Sequence, residues 1–163
     1  MTTASKPIPK GYHTVTPALV VRGAAEAIEF YKKALGAEEL VRMPSPDGKI
    51  SHSELKIGDS MIFVSDEFPH MGVSRSPQTL GGCTSTLHLY VEDVDTSFNR
   101  AIDAGGKVAM PVADMFWGDR FGSFTDPFGH HWGILTHKED LSAEEMKERA
   151  ADFYASMAQK KTA

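Results

Sequence analysis

Cysteine is nearly missing: Cys83 stands alone, so no internal disulfide can form and no set of thiolates can hold a metal. A structural thiol in a reducing cytoplasm is the expectation. An excess of basic charge is missing too. The formal charge is −5, with acidic and basic residues interspersed, which argues against a surface that tracks nucleic-acid phosphates or anionic lipid. No apolar run approaches the length of a membrane span, and MTTASKPIPKGYH holds no apolar segment long enough for a signal peptide. The expectation is a cytoplasmic protein with no membrane and no nucleic-acid partner. There is no G-x-S-x-G elbow and no phosphate-cradling loop, and Gly81-Gly82-Cys83 has no basic or histidine neighbour along the chain.

What is present is concentrated in Met115 to Ile134, MFWGDRFGSFTDPFGHHWGI, which combines aromatics, glycines, charges and paired histidines. Thr125-Asp126-Pro127-Phe128-Gly129 reads as a strand entering a tight turn, and Trp132-Gly133-Ile134-Leu135 as the returning strand. Upstream, Phe116, Trp117, Asp119, Arg120 and Phe121 mix charge and ring too closely for a pure core or an ordinary solvent loop. A pocket rim is one reading. The other is a hairpin whose rings fill the core while Asp119 and Arg120 pair at the surface.

The chain repeats itself. After a loose lead over residues 1–11, β-branched residues from His13 to Val21 predict a strand that Pro17 makes irregular. Ala24 to Leu35 follows at helical spacing, stopped by Gly36, and strands are expected over Leu40 to Met43, Lys49 to Ile57 and Ser60 to Ser65. Thr86 to Val91 then reads as a strand and Asp93 to Ala104 as a helix. A shift of 70 residues superposes Thr16 on Thr86, Val21 on Val91 and Gly36 on Gly106, and one further residue brings Gly58 onto Gly129. The fold class is therefore α+β, with tandem βαβββ modules over 12–66 and 86–140, a linker over 67–85 and an amphipathic helix over 141–163. That helix opens on a capping box, Ser142 with Glu145, and carries Met146, Ala150, Phe153, Tyr154 and Met157 on one face, to pack on its own sheet or on a second copy.

Strand alternation sorts the faces. Leu87, Leu89 and Val91 are assigned to the helix side, with Val15, Leu19, Val21, Leu55 and Ile57. The far faces receive Thr86, His88 and Tyr90; His52, Glu54 and Lys56; Ser123 and Thr125; Ser60, Ile62 and Val64; and His131, Gly133 and Leu135. Two curved mixed sheets would wrap a partly polar cavity.

A tandem βαβββ pair with EAIEFYKKALGAEE after its first strand and DPFGHHWGILTHKED at its end resembles the vicinal oxygen chelate superfamily, the glyoxalase, bleomycin-resistance and extradiol-dioxygenase group. LHLYVEDVD, MFWGDR and DPFGHHW look like its PhnB-like branch, with a demethylubiquinone-methyltransferase-like name. The resemblance implies one divalent metal held by His, Gln or Glu from both modules. The positions that match those ligands here are Thr16, Ile62, Thr86 and Gly133, none of which Zn, Ni or Fe ordinarily selects. No cofactor is expected, and a divalent metal only at a non-standard site.

Such a displaced site would need His88, His131, His52 and Glu54 to converge. Alternatively a neutral histidine near Glu54 or Asp119 serves as a metal-free acid or base, or each histidine is a satisfied structural residue. Phe116, Trp117, Phe121 and Tyr90 could stack on a flat ligand, with Arg120 binding its anion and Asp119 orienting Arg120 or a donor group. The same residues could be dimer contacts, since pockets of the resembled superfamily commonly lie at or near subunit interfaces. The leading expectation is a homodimeric binder of a small, aromatic molecule. The alternatives are an enzyme, either a metal-free acid/base catalyst using His88, His131 or Glu54 or a metal-dependent lyase or dioxygenase using the displaced His/Glu site, and a dimeric protein with a closed cavity that acts through partner surfaces.

Overall fold

The computed structural model describes residues 6–72 and 74–160, of Lys160 the backbone alone. The first five residues of the expected lead and the last three of the expected final helix lie outside it. The first module contains β1 (Ala18–Val21), α1 (Ala24–Leu35), β2 (Glu38–Pro44), β3 (Ile50–Ile57) and β4 (Ser60–Asp66). A one-turn helix, α2 (Pro77–Leu80), interrupts the linker. The second module contains β5 (Thr86–Tyr90), α3 (Val94–Asp103), β6 (Lys107–Asp114), β7 (Asp119–Thr125) and β8 (His131–His137), and α4 (Ala143–Lys160) closes the chain.

Each module folds into a four-stranded mixed sheet, in the orders β1-β4-β3-β2 and β5-β8-β7-β6. The first and last strands of each module run parallel: the helix returns the chain so that the second strand points the same way as the first, and two antiparallel reversals restore that direction in the last. The sheets are curved and unclosed. Helix α1 begins at Gly23, which has no side chain to cap it. Asp66, at the end of β4, supplies the missing acceptor: Oδ1 takes the amides of Gly23 and Ala24 at 2.9 and 3.0 Å. Asp93 caps α3 through the Thr96 amide, and the Ser142–Glu145 capping box forms at the start of α4.

The core lies between the sheets and the paired helices α1 and α3, and one buried carboxylate joins the modules. Asp126 Oδ2 accepts from the Tyr31 hydroxyl of α1 at 2.7 Å and from Trp132 Nε1 of β8 at 2.9 Å. Its Oδ1 takes the amides of Phe128 and His130, both at 2.9 Å. Burial, with the Asp126 carboxylate beside it, pushes the Tyr31 phenol well above its ordinary range. His130 adds a second tie, donating Nε2–H to the Val20 carbonyl of β1 at 3.0 Å.

Two face assignments are corrected. Val15 is 80 % exposed, because the ladder starts only where the Pro17 carbonyl accepts from the Phe63 amide. In β4 the alternation is reversed: Leu55 pairs with Ile62, so Ile62 and Val64 are buried against α1 while Phe63 occupies the far face opposite Glu54. The glycine alignment caused the slip. β3 and β4 are joined by a two-residue turn after Ile57, whereas five residues separate the paired Thr125 and His131. Since Ala18 pairs with Phe63 and His88 with Gly133, the true counterpart of Gly133 is Phe63.

Candidate functional site

The far face of the second sheet is built in rungs by strand register. Thr86, His131 and Thr125 form one, His88, Gly133 and Ser123 the next, and Tyr90, Leu135 and Phe121 the third, with Asp119 facing His137 beyond. Gly133 decides its shape: a Cβ there would stand 2.7 Å from Phe121 Cε2 and 3.0 Å from His88 Cδ2. Without one, the Phe121 and His88 rings lean over the sheet 5.6 Å apart, and Trp117 extends the layer 6.1 Å from Phe121. The result is an open aromatic shelf.

Trp117 and Asp119 reach this shelf through the β6–β7 turn. Gly118 sits at φ +96°, and its carbonyl accepts the amides of Lys138 and Glu139 at 3.0 Å, which ties the turn to the end of β8. Asp119 is only 5 % exposed and gathers three donors: Trp117 Nε1 at 3.0 Å, the Tyr90 hydroxyl at 3.2 Å and His137 Nδ1 at 2.8 Å. His137 Nε2 also faces Asp140 at 3.0 Å. Carboxylates only accept, so both ring nitrogens must carry protons, which is the geometry of a cation. The Asp140 bond first, and Asp119 next, raise the His137 pKa. Tyr90 is 67 % exposed, and partial desolvation followed by the Asp119 charge raises its phenol.

The predicted residues fall into separate groups. His88, Tyr90, Trp117, Asp119 and Phe121 share the shelf. His131 lies on the same face, its Nδ1 3.0 Å from the Thr125 hydroxyl. Phe116 instead anchors α4, stacking on Phe153 at 5.2 Å and lying 6.1 Å from Tyr154. Arg120 is on the opposite face from Asp119, gripped by Asp95 at 2.7 and 2.8 Å and by Asp114 at 3.1 Å, so the expected Asp119–Arg120 pairing does not form.

His52 and Glu54 belong to the far face of the first sheet. Glu54 accepts from the Tyr12 hydroxyl and lies 3.3 Å from His52 Nε2. These two bonds hold its carboxyl below the usual range, Tyr12 contributing most, while partial burial and the same carboxylate push Tyr12 up to about 12.

Of the positions matching the superfamily's ligands, Thr16 precedes β1, Thr86 and Gly133 lie on the far face of the second sheet, Ile62 is in the core, and Phe63 replaces it on the face; none of these side chains is an ordinary metal ligand. The space over Gly133 is taken by the Phe121 and His88 rings. Among the described residues no group of three His, Cys, Asp or Glu side chains is placed to hold a metal ion, and the histidines and Glu54 are divided between two sheets.

Sequence reasoning missed three participants. His137 is legible only once β7 and β8 are registered against each other. Tyr12 belongs to a segment with no periodicity. Cys83, which lacks a histidine neighbour along the chain, has His130 Nδ1 3.9 Å from its sulfur in space.

The sequence pattern of the Glyoxalase/Bleomycin resistance protein/Dioxygenase superfamily matches residues 12–134. An uncharacterized protein of Mycobacterium bovis is 44 % identical over 135 residues, covering 82 % of this chain and 89 % of that protein. Protein YjdN of Escherichia coli is 29 % identical, covering 71 % of this chain and 88 % of its own. Among solved structures, TioX from Micromonospora superposes with TM-score 0.58 at 27 % identity, over 76 % of this chain and 98 % of that one. A putative PhnB protein from Bacillus cereus, at 19 % identity over 76 % of this chain and 99 % of its own, shares the fold with TM-score 0.59. The duplicated module, its strand order and the match across both copies agree: this chain belongs to the glyoxalase/bleomycin resistance protein/dioxygenase superfamily.

Proposed function

We propose that the protein binds a flat, aromatic small molecule on the far face of its second sheet and that a second copy of the chain covers the bound ligand. The observation that carries this is the shelf itself. The Phe121 ring and the His88 imidazole close over Gly133, Trp117 extends the layer from Phe121, and beside them a buried carboxylate keeps the Tyr90 hydroxyl and the Trp117 indole N–H in fixed directions. Stacked rings offer sequence-independent area, and the oriented polar groups select among ligands. The far-face residues of β5 are exposed in the single chain, leaving room for a covering partner. No helix among the described residues is long and apolar enough to cross a membrane.

The test is equilibrium dialysis against acridine, menadione and flavone, with light scattering on the same samples. Saturable binding that falls at least tenfold in Phe121→Ala and Tyr90→Ala, by a protein of dimer mass, supports the reading. Failure of all three to bind, or affinity unchanged in both variants, refutes it.

One observation favours an enzyme. The His88 imidazole makes no hydrogen bond among the described residues and stands at the edge of the shelf, free to act as an acid or base toward a stacked substrate. Mass analysis of the dialysed ligand separates the two readings: a binder returns it unchanged, whereas a catalyst converts it and His88→Asn abolishes the conversion.

A further inference from the structure

The far face of the first sheet is built differently. Residues 6–14, KPIPKGYHT, form no regular element yet cross this face as a strap, with the Tyr12 amide turned back onto the Pro9 carbonyl at 3.2 Å. Between strap and sheet lies a hollow of about 470 Å³ whose lining includes Pro7, Ile8, Pro9, Tyr12, Glu54 and Phe63.

Three rings gather beside Glu54, and Tyr12 and Phe63 of them line the hollow. Tyr12 and Phe63 have centroids 6.1 Å apart and are tilted by 51°, and His52 stands edge-on to Phe63 at 4.8 Å. Phe63 is the counterpart of Gly133, so where the second sheet is flattened by a missing side chain, the first raises a wall.

The charge of this hollow is unbalanced. Two other partly shielded glutamates are paired with fixed cations: Glu67 with Arg22, and Glu39 with Arg42 and Lys32. Glu54 has only His52 as an ion-pairing partner among the described residues, and neither Lys nor Arg lines the hollow. His13, also in the lining, is 4.0 Å from Asp59. Tyr12 and His52 occupy the carboxylate through hydrogen bonds and favour its ionised form without supplying a fixed positive charge. An anion of this kind, beside the Tyr12 and Phe63 rings and the apolar strap residues, is complementary to a cation that carries its own apolar coat. A bare metal ion would need further oxygen or nitrogen ligands, which the lining does not assemble.

We propose that this hollow is a binding site for an organic ammonium cation, tertiary or quaternary, seated against Tyr12 and Phe63 with Glu54 as its counter-ion. The strap forms one wall, so the site exists only while the Tyr12 hydroxyl is latched to Glu54 or the ligand holds the strap in place. It is separate from the shelf of the second sheet and does not depend on the ligand bound there.

The experiment compares choline with 3,3-dimethylbutan-1-ol, which has the same shape and no charge, at fixed ionic strength, by calorimetry and by proton NMR of the methyl groups. Choline is expected to bind with a dissociation constant on the order of 1 mM or tighter. Its methyl resonance should move upfield as it enters the ring currents, and the neutral alcohol should bind at least tenfold more weakly. Glu54→Gln, which keeps the shape of the side chain, should weaken choline at least tenfold. Trp117→Ala, on the other sheet, should leave it unchanged. Absence of choline binding, or equal binding of choline and the alcohol, overturns the proposal on the unmodified protein, whatever the folding of the variants. Equal choline affinity in folded Glu54→Gln overturns it as well.

Discussion

Removing the Tyr31 hydroxyl tests the account of how the two modules are joined. In Tyr31→Phe the ring keeps its place against Trp132 and Phe128, with centroids at 5.4 and 6.3 Å, so no cavity larger than an oxygen atom opens. What is lost is one hydrogen bond to a buried carboxylate, made at 2.7 Å. Asp126 keeps its three other donors, which places the cost at the lower end for a charged partner, about 1–2 kcal/mol. For a chain of this size that lowers the melting temperature by roughly 2–8 °C. Asp126→Asn is more damaging. Oδ1 still serves the Phe128 and His130 amides, but an NH₂ group now faces the Trp132 N–H, and two donors cannot bond. Loss of the charge plus one orphaned buried donor comes to about 2–4 kcal/mol. The double variant should cost less than the sum, because Tyr31 has no charged partner left to lose. Urea denaturation followed by tryptophan fluorescence and far-ultraviolet dichroism reads all three. A Tyr31→Phe protein within about 0.5 kcal/mol of the original, with strict additivity in the double variant, would show that Asp126 does not couple α1 to the second sheet.

Gly118→Ala combines a positive φ with a Cβ 2.5 Å from the Glu139 carbonyl, and should destabilise by at least about 1–3 kcal/mol in chemical denaturation while altering Trp117 emission; an unperturbed variant would contradict the described turn. His137 has a raised pKa in the folded state, so its contribution to stability is complete below the ordinary histidine value and is lost as pH rises through the folded one. The stability gap between the original protein and His137→Asn should therefore be widest in mild acid and close toward alkaline pH; a gap that widens with pH would refute the doubly bonded imidazolium. Arg120→Gln should leave ligand affinity on the shelf unchanged, and its effect on stability should fade in concentrated salt, since its partners Asp95 and Asp114 are exposed. Zn²⁺, Ni²⁺, Mn²⁺ and Fe²⁺ should each move the melting temperature by less than about 1 °C at equimolar ratio, because a metal held by the native state must stabilise it; a larger shift would reveal a donor set that Thr16, Phe63, Thr86 and Gly133 do not supply.

The fold was legible because periodicity and duplication are local signals repeated twice. Helix α1 forms over the residues its spacing marks, and every expected strand is present, β1 shortened by Pro17 to begin at Ala18. Facing was legible where paired strands could be registered without a turn, as in β5 and β8, and failed in β4, where two turns of different length were aligned by their glycines. The separation of Arg120 from Asp119 follows from the alternation of a strand: adjacent residues point oppositely, so a single group could not use both. The Asp126 hub, the His130 bond to Val20 and the Tyr12 latch were not legible. Each joins residues at least 42 positions apart in the chain, and no composition or spacing encodes such a contact.

The duplication explains why the chain should carry two kinds of face rather than one repeated. Identical strand order places Phe63 and Gly133 at the same rung, so a single difference there propagates to the neighbours. Glycine lets the rings from β5 and β7 fold down over the backbone, which produces a flat surface suited to stacking. Phenylalanine stands upright, gives the Tyr12 ring a wall to meet and leaves a hollow beneath the strap, which suits a rounded ligand. The electrostatics diverge in parallel. On the second face the Asp119 charge is met by an imidazolium as well as by two neutral donors, whereas on the first Glu54 lacks a fixed cation. Replacing Phe63 by glycine should therefore abolish choline binding without affecting the shelf, while Gly133→Phe should destroy the shelf without creating a cation site, because its rung of His88, Gly133 and Ser123 holds no carboxylate and none of the described residues straps it.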